Sequence, residues 1–395
     1  MPQALRVVVV LGVLSLIVAV THAYIYRRLV RDVVDHPAHR RLGRWAIILA
    51  GVAMVAGAAG SRVLPRDLGQ IVAYLAYGWM GMVVLLMPIL AIVDLVRAVV
   101  VRADRRPTDP GRRQALARAA ATVTALTSTA AGAVGVQTAL SAPELHTFDL
   151  PIPDLPPALV GFRIAQLSDI HIGPLLGGDF ARSLVERVNA LDVDLVALTG
   201  DLVDGSVAHL GAHVAPFGEL RSRHGTFFVT GNHEYYSGAD AWIAELRRLG
   251  IRVLRNERVA VEHDGATLDV LGVDDWRSKG FGGGHGHDLV RACADRDPRR
   301  PSLLLAHQPK VVDEAAEQCI DAVLCGHTHG GQMWPFGLIV ALQQPYVVGL
   351  HHHRERTWIY VHPGTGYWGP PMRLKVNAQI AVATLVAASP LTAKA

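Results

Sequence analysis

Four long apolar stretches in the N-terminal third constrain the fold of this chain more than any other feature. They cover residues 7–26, 45–60, 71–93 and 119–142, and none contains Asp, Glu, Lys or Arg. A helix of about 20 apolar residues crosses the hydrocarbon core of a bilayer. We therefore predict an all-α membrane domain of about four transmembrane helices over residues 1–142. The second stretch is short for a span, and the fourth, rich in Ala, Thr, Ser and Gly, is the least hydrophobic.

The loops between these stretches differ in their arginine content. The first and third loops are rich in arginine, whereas the second holds two. Arginine-rich loops stay on the cytoplasmic side, so the N-terminus and everything after the fourth stretch are predicted to be extracytoplasmic. We expect a multi-pass protein of the cell (plasma) membrane. The arginines are Arg27, Arg28, Arg31, Arg40, Arg41 and Arg44 in the first loop, Arg62 and Arg66 in the second, and Arg97, Arg102, Arg105, Arg106, Arg112, Arg113 and Arg118 in the third.

The pair Arg112-Arg113 leaves two interpretations of the fourth stretch open. The pair precedes a small-residue segment, as in a twin-arginine export signal placed internally. Alternatively it belongs to the positive cytoplasmic loop, and residues 119–142 form a true transmembrane helix. Both interpretations put the following domain on the same side of the membrane.

The chain changes character after residue 142. Five prolines within residues 143–160 predict an extended linker, because proline fixes φ and removes a hydrogen-bond donor. Short apolar runs then alternate with amphipathic segments, which predicts an α/β layered domain over residues 161–395. The three cysteines form no CxxC pair and do not describe a disulfide framework.

Five successive predicted strands of this domain end in Asp, Asn or His, often beside glycine. Open α/β sheets place their sites at the carboxyl ends of strands, so these side chains can converge. Carboxylate, imidazole and amide groups suit divalent metals such as Mn, Fe or Zn, and the set contains no thiolate. Each motif alone is weak, but the ordered set predicts a metal site. The motifs are Asp169-Ile-His171, Gly200-Asp201-Leu-Val-Asp204, Gly231-Asn232-His233-Glu234, His307, and Gly326-His327-Thr-His329.

This ordered set resembles the calcineurin-like metallophosphoesterase superfamily. The strings Leu-Ser-Asp-Ile-His-Ile-Gly, Leu-Leu-Ala-His-Gln-Pro and Gly-His-Thr-His-Gly-Gly-Gln are similar to its bacterial membrane or exported branch. The resemblance covers residues 161–387 and implies a layered α-β-β-α sandwich. It also implies a metal-dependent phosphoric ester hydrolase, in which two divalent or trivalent ions supply a bridging hydroxide that attacks a phosphate mono- or diester.

The same resemblance assigns a role to each motif residue. His233 would protonate the leaving oxygen, and Asp204 would orient His233 or a ligand. Glu234 would either support the ligands or act as a helix-start charge. Tyr367 and Trp368 are candidate substrate contacts, with core packing as the alternative. The metal ligands implied are Asp169, His171 and His329 for one ion, Asn232, His307 and His327 for the other, and Asp201 between them.

Two further segments and three functions stay open at this point. Residues 280–287 form either a lid or a plain surface loop, and residues 351–353, three histidines, either capture metal or lie in an exposed loop. Three functions are open. The first is an extracytoplasmic phosphoesterase that acts beside the membrane on lipid-linked or nucleotide-like substrates. The second is a membrane sensor or scaffold with a non-catalytic head, and the third is a small transporter with a regulatory head. Uncharged stretches argue against a transport path. No nucleic-acid polymer is expected as a partner, and the oligomeric state is undetermined.

Overall fold

The computed structural model describes residues 3–61, 63–103 and 109–388. These residues divide into two compact units. The first comprises residues up to 137 together with 369–372, and the second comprises 138–368 and the residues from 373 onward. Of the arginines named above, Arg62, Arg105 and Arg106 lie outside the described residues.

The first unit is helical. Among the described residues, four helices are long and apolar enough to cross a membrane, which confirms the predicted helical region. Each helix is longer than its apolar stretch, because flanking residues that include arginine continue it. Arg112 and Arg113 therefore lie in the first turn of the fourth helix rather than in a loop. The helices are α1 (Gln3–Tyr26), continued by the π-helical Arg27–Arg31, α2 (Pro37–Gly60), α3 (Arg66–Ala103) and α4 (Pro110–Leu140).

Two acidic residues lie within these helices. Asp67 is in the first turn of α3, and Asp94 is included because α3 extends beyond residue 93. The Arg28 Nε donates a hydrogen bond to Asp94 Oδ2 at 2.8 Å, and the hydroxyl of Tyr24 donates to the same oxygen at 2.5 Å. Charged groups in membrane helices are costly unless they are paired. Asp94 is paired in this way, so it adds no isolated charge to the unit.

The second unit contains two six-stranded sheets. In the first sheet the strand order is β1-β12-β2-β3-β4-β5, and in the second it is β10-β11-β9-β8-β7-β6. Strands β2, β3 and β4 are mutually parallel, as are β7, β8 and β9. The strands are β1 (Glu144–Ile152), β2 (Arg163–Leu167), β3 (Leu195–Leu198), β4 (Thr226–Phe228), β5 (Arg252–Val253), β6 (Glu257–His263), β7 (Ala266–Gly272), β8 (Ser302–Leu305), β9 (Ala322–Cys325), β10 (Gly349–His353), β11 (Thr357–Val361) and β12 (Gln379–Ala387).

Three apolar layers hold this unit together. The middle layer lies between the sheets and includes the fully buried Phe162, Leu195 and Leu324. Helices cover the outer faces, with Trp242 buried against the first sheet and Val312 against the second. The α-β-β-α sandwich is thereby confirmed. The remaining helices are α5 (Gly178–Asn189), α6 (Val207–Val214), α7 (Asn232–Ser237), α8 (Ala239–Arg248), α9 (Leu289–Ala292), α10 (Val312–Glu317) and α11 (Gly337–Val340).

The proline-rich residues 143–160 do not form the separate linker that their composition predicted. Residues Glu144–Ile152 are β1, which pairs in parallel with β12 over nine register positions. Proline is tolerated on an edge strand because one side of that strand has no ladder partner, and β1 is such an edge. The fixed φ of Pro151 is compatible with extended backbone. Only residues 141–143 therefore separate α4 from the first sheet.

The packing of β1 can be tested by comparing two leucines on this strand. Leu150 is fully buried between the sheets, whereas Leu145 is exposed. We expect Leu150→Ala to destabilise the unit by about 2–5 kcal/mol, because a buried leucine leaves a cavity, and Leu145→Ala to change stability by less than about 0.5 kcal/mol. Thermal unfolding of the detergent-solubilised chain measures both. Equal, small effects would mean that residues 144–152 behave as a linker.

Candidate metal centre

The motif residues meet at one edge of the sandwich. Asp169, Asp201 and Asn232 follow β2, β3 and β4 of the first sheet, and His307 and His327 follow β8 and β9 of the second. The carboxyl ends of parallel strands in one sheet lie at the same edge. Stacking of the two sheets brings both sets of strand ends together, so both sheets contribute residues to the site.

Asp169, His171 and His329 form the first buried cluster, with one potential ligand atom from each lying within 4.8 Å of the others. The Nε2 atoms of His171 and His329 are 3.0 Å apart, and the second lies 3.4 Å from Asp169 Oδ1. The Nδ1 of His171 is already occupied, because it lies 3.1 Å from Asp204 Oδ1. Two facing imidazole nitrogens beside a carboxylate need a shared proton or a cation, and a divalent metal fits that requirement.

Asp201, His307 and His327 form the second cluster. The Nε2 of His307 lies 3.0 Å from Asp201 Oδ2 and 3.2 Å from Nδ1 of His327. The Nδ1 of His307 lies 2.9 Å from the Thr199 carbonyl oxygen, which orients Nε2 toward the cluster. Burial opposes ionisation of Asp201, but His307 and His233 hold the pKa of this carboxyl well below its usual range. Burial and the neighbouring His307 lower the pKa of His327 to about 3, which favours the neutral ligand form.

Asn232 completes the converging set. It is the first residue of α7, and its side chain is buried. Its Oδ1 atom has no hydrogen-bond partner among the described residues, and the same is true of Nδ1 of His329. A buried polar atom without a partner is costly. A cation at this position would satisfy the amide oxygen, so the residues present fit a metal centre.

His233 and Asp204 lie beside these two clusters and form, with His171, a third group of potential ligands. Asp204 Oδ1 lies 2.6 Å from Nδ1 of His233 and also approaches His171, so one carboxylate orients both rings. The Nε2 of His233 faces the centre at 3.9 Å from Asp201 Oδ2. Burial alone would lower the pKa of His233, but Asp201, Asp204 and Glu234 raise it to about 9. A protonated His233 can therefore donate a proton into the site at neutral pH.

Glu234 supports the loops that carry the ligands. Its carboxylate is buried and accepts hydrogen bonds from the backbone N–H groups of Asp201, Leu202 and Gly231 at 2.7–3.0 Å. These bonds tie the turn after β3 to the turn after β4. Of the two roles that the sequence left open, support of the ligand loops therefore describes Glu234 better than a simple helix-start charge.

The ligand backbone is strained at several points. Asp169, His171, Asp201, His327 and His329 all have positive φ, between 51° and 72°. Non-glycine residues seldom adopt this region, and they do so mainly where surrounding structure fixes them at functional sites. Gly326 illustrates the crowding, because a methyl group at this position would collide with the side chains of Ser168 and Asp169.

The two candidate substrate contacts differ in their exposure. Tyr367 is only 4% exposed, whereas Trp368 is 48% exposed and its ring centroid lies 5.5 Å from that of His233. A buried ring presents little surface to a substrate, so Trp368 is the better candidate. Sequence reasoning missed Tyr236, and it noted Phe281 only as part of the candidate lid, residues 280–287. Tyr236 is exposed 5.3 Å from the His233 ring, and Phe281 is exposed 5.8 Å from Tyr236.

The two ambiguous segments take different positions. The glycine-rich loop is anchored, since Asn256 Nδ2 donates to the Gly286 carbonyl at 2.6 Å and His285 contacts Arg255. Its Phe281 reaches the aromatic residues beside His233. The three histidines at 351–353 lie in β10 and contribute to none of the metal-ligand clusters found among the described residues.

Comparison with known proteins agrees with this arrangement. A model of the calcineurin-like phosphoesterase family matches residues 162–331, a span that contains all seven candidate ligands. An uncharacterized metallophosphoesterase of Aquifex aeolicus is 35% identical over 225 residues, covering 56% of this chain and 84% of that protein. The chain belongs to the calcineurin-like metallophosphoesterase family. This membership supports a metal-dependent phosphoesterase and a divalent-metal requirement.

Two further family members extend the comparison. A transmembrane protein with metallophosphoesterase domain from Bos taurus is 40% identical over 273 residues, covering 67% of this chain and 62% of that protein. An uncharacterized metallophosphoesterase of Helicobacter pylori strain J99 is 42% identical over 228 residues, covering 57% of this chain and 60% of that protein. This chain thus spans about three fifths of the length of these relatives. The transmembrane relative and the four apolar helices together support membrane association.

Metal content provides a direct test of the clusters. We expect His307→Ala and His171→Ala to lose at least about one metal ion per chain, because each removes a nitrogen that faces another ligand. His352→Ala is the matched control, since this half-buried histidine of β10 lies outside the clusters. Inductively coupled plasma mass spectrometry of protein purified with Mn measures the content. A similar loss in all three variants would contradict the assignment.

Proposed function

We propose that this metallophosphoesterase hydrolyses phosphate mono- or diesters at the extracytoplasmic face of the plasma membrane, with a dinuclear metal centre. The observation that supports this most is the pair of facing imidazole contacts, His171 with His329 and His307 with His327, each beside a buried aspartate. Such a set has no evident packing use, and its donors suit two ions rather than one.

The chain offers two complementary ligand sets. Asp169, His171 and His329 would hold one ion, and Asn232, His307 and His327 would hold the other, with Asp201 shared between them. Mn, Fe and Zn all accept this mixture of oxygen and nitrogen donors. When bound, a pair of such ions supplies an activated water and neutralises charge on a phosphoryl group.

His233 and Asp204 would carry the proton transfer. Asp204 holds the Nδ1 side of His233, which leaves Nε2 directed into the site. We assign Nε2–H of His233 as the group that donates a proton to the leaving oxygen of the ester, with Asp204 as its positioning residue. The hydrogen bond from the backbone N–H of His233 to Asp201 Oδ1 at 2.8 Å couples its location to the ligands.

The aromatic residues at the mouth suggest the substrate class. Trp368, Tyr236 and Phe281 lie within ring-contact distance of His233 or of one another, and all three are exposed. Such faces favour an ester with an apolar or planar substituent. Since the chain is membrane-associated, we propose a lipid-linked or nucleotide-like phosphoester. A non-catalytic sensor or scaffold is the alternative, and it gives no reason to retain the complete ligand set.

The role of His233 predicts a dependence on the leaving group. We expect His233→Ala to lower kcat by about 10²–10⁴-fold for an ester with an alkyl leaving group. The loss should be much smaller for a p-nitrophenyl ester, because p-nitrophenolate leaves without protonation. Steady-state kinetics on the two esters measure the difference, with His209→Ala, an exposed histidine of α6, as the control. Equal losses for both esters, with metal content intact, would rule out this acid role.

Cys319 allows the proposed orientation to be tested. It is exposed on the second unit, whereas Cys325 is buried. We expect a membrane-impermeant maleimide to label Cys319 in intact cells freed of their walls, because the arginine-rich loops should remain cytoplasmic. Because Cys293 is half-buried, both chains carry Cys293→Ser, and Cys319→Ser in that background should abolish the labelling. If Cys319 reacts only after the membrane is permeabilised, the second unit is cytoplasmic and the orientation is wrong.

A further inference from the structure

We propose that residues 333–348, here called the interfacial segment, contact the lipid headgroup region of the bilayer in which the chain is anchored. The segment follows the His327-Thr-His329 motif directly and contains α11. Met333 and Tyr346 are packed, but five large apolar side chains between them are exposed, and Leu342 reaches 85%. The exposed residues that define the surface are Trp334, Phe336, Leu338, Ile339 and Leu342.

The composition around this surface distinguishes it from scattered surface leucines. Residues 333–353 contain no Asp, Glu, Lys or Arg. Isolated exposed apolar residues are normal, but a contiguous exposed group indicates a contact surface. The five side chains lie within nine consecutive residues, so they form one group along the chain.

The interfacial segment is held in place despite its exposure. The Thr328 hydroxyl donates to the Val347 carbonyl at 2.6 Å near one end. Near the other end the Trp334 N–H donates to the Leu374 carbonyl at 3.4 Å, and Met333 forms a bridge with Leu374. The apolar side chains therefore project from fixed backbone, as a surface that contacts a partner requires.

Three observations favour a lipid surface as that partner. The family includes a transmembrane relative, and this chain has four helices able to span a bilayer. Only residues 141–143 separate α4 from β1, and three extended residues reach roughly 10 Å, so the chain path between the end of α4 and the start of β1 is short. The ammonium of the exposed Lys375 lies 5.0 Å from the Trp334 ring centroid. Tryptophan and lysine together are typical of membrane interfaces, where lysine also attracts anionic headgroups.

The interfacial segment is braced against the metal centre. A methyl group on Gly331 would collide with the backbone of Gly337, so α11 packs closely on the turn that follows His329. The Gln332 side chain donates to the Trp368 carbonyl and accepts from the Trp368 N–H, both at 3.0 Å. Because Trp368 contacts His233, lipid contact would hold the mouth of the site near headgroup phosphoesters. This consequence rests on the proposed function, but the lipid contact itself does not.

Depth-dependent quenching tests the lipid contact without any activity assay. The full chain carrying Cys293→Ser, Cys319→Ser and Leu342→Cys is labelled with an environment-sensitive dye and placed in nanodiscs of phosphatidylcholine and phosphatidylglycerol, one copy per disc. We expect blue-shifted emission that is quenched when the lipids carry spin labels on their acyl chains. Val290→Cys in the same background is the control, since Val290 is an exposed apolar residue of α9.

A dye on residue 342 that stays water-exposed would overturn the proposal. So would a blue shift that occurs only with two copies per disc, because a second chain would then cover the surface.

A paired variant tests the consequence for catalysis. Leu338→Glu combined with Leu342→Glu places charge on two exposed side chains and should leave the fold intact. We expect hydrolysis of a bilayer-held phosphoester to fall at least about tenfold, with the soluble p-nitrophenyl ester changed by less than about twofold, because membrane affinity scales with buried apolar area. Val290→Glu should change neither rate. If the double variant keeps its rate on the bilayer-held ester, the catalytic consequence is wrong. If the parent chain hydrolyses no ester, the proposed function fails while the quenching result still decides the lipid contact.

Discussion

The apolar layer between the two sheets is the interaction on which the metal centre depends. Stacked sheets pack about 10 Å apart when their inner faces are filled by side chains. Phe162, Leu195 and Leu324 are fully buried in that layer. Because Asp201 follows a strand of one sheet and His307 a strand of the other, their 3.0 Å approach reflects this spacing. Ligands from both sheets can bind the same ion only if this apolar layer maintains the distance between the sheets.

Several ionisable side chains are buried around the metal centre, and hydrogen bonds from neighbouring residues offset part of the cost of burying them. Burial and the neighbouring Asp201 raise the pKa of Glu234 to about 8, yet three backbone N–H groups bind its carboxylate. Burial lowers the pKa of Arg373 to about 10, and its guanidinium donates to the carbonyls of Pro363, Gly364 and Gly366. Hydrogen bonds offset part of the cost of burying such groups, although Nη1 of Arg373 has no partner among the described residues. These hydrogen bonds connect the loops that carry the candidate ligands.

The sequence predicted those features that depend on local patterns. Alternation of strands and helices gave the layered fold, and the apolar stretches gave the helical region. The candidate ligands could be named because each one lies directly after a strand and the family pattern fixes their order. Pairwise distances could not be predicted in this way. For example, the shared contact of Asp204 with His171 and His233 joins residues 33 and 29 positions apart.

The features that sequence reasoning missed depend on contacts between distant segments. The proline-rich residues looked like a linker because their partner strand, β12, begins at Gln379, more than 200 residues later. Tyr236 gave no local signal, and the glycine-rich loop was recognised as a candidate lid without its contact to α7, because the approach of Phe281 to Tyr236 joins distant segments. Asp94 lay just outside an apolar stretch, and its bond to Arg28 becomes visible only when α1 and α3 are packed together.

The pairing of β1 with β12 also shortens the connection between α4 and the second unit. Here the chain enters the unit as a strand that is bonded along nine residues, and residues 141–143 are the only irregular ones between α4 and that strand. A short connection raises the effective concentration of any surface that can reach the bilayer. An exposed apolar segment beside the metal centre is therefore more effective on a unit attached in this way than on one at the end of a long linker.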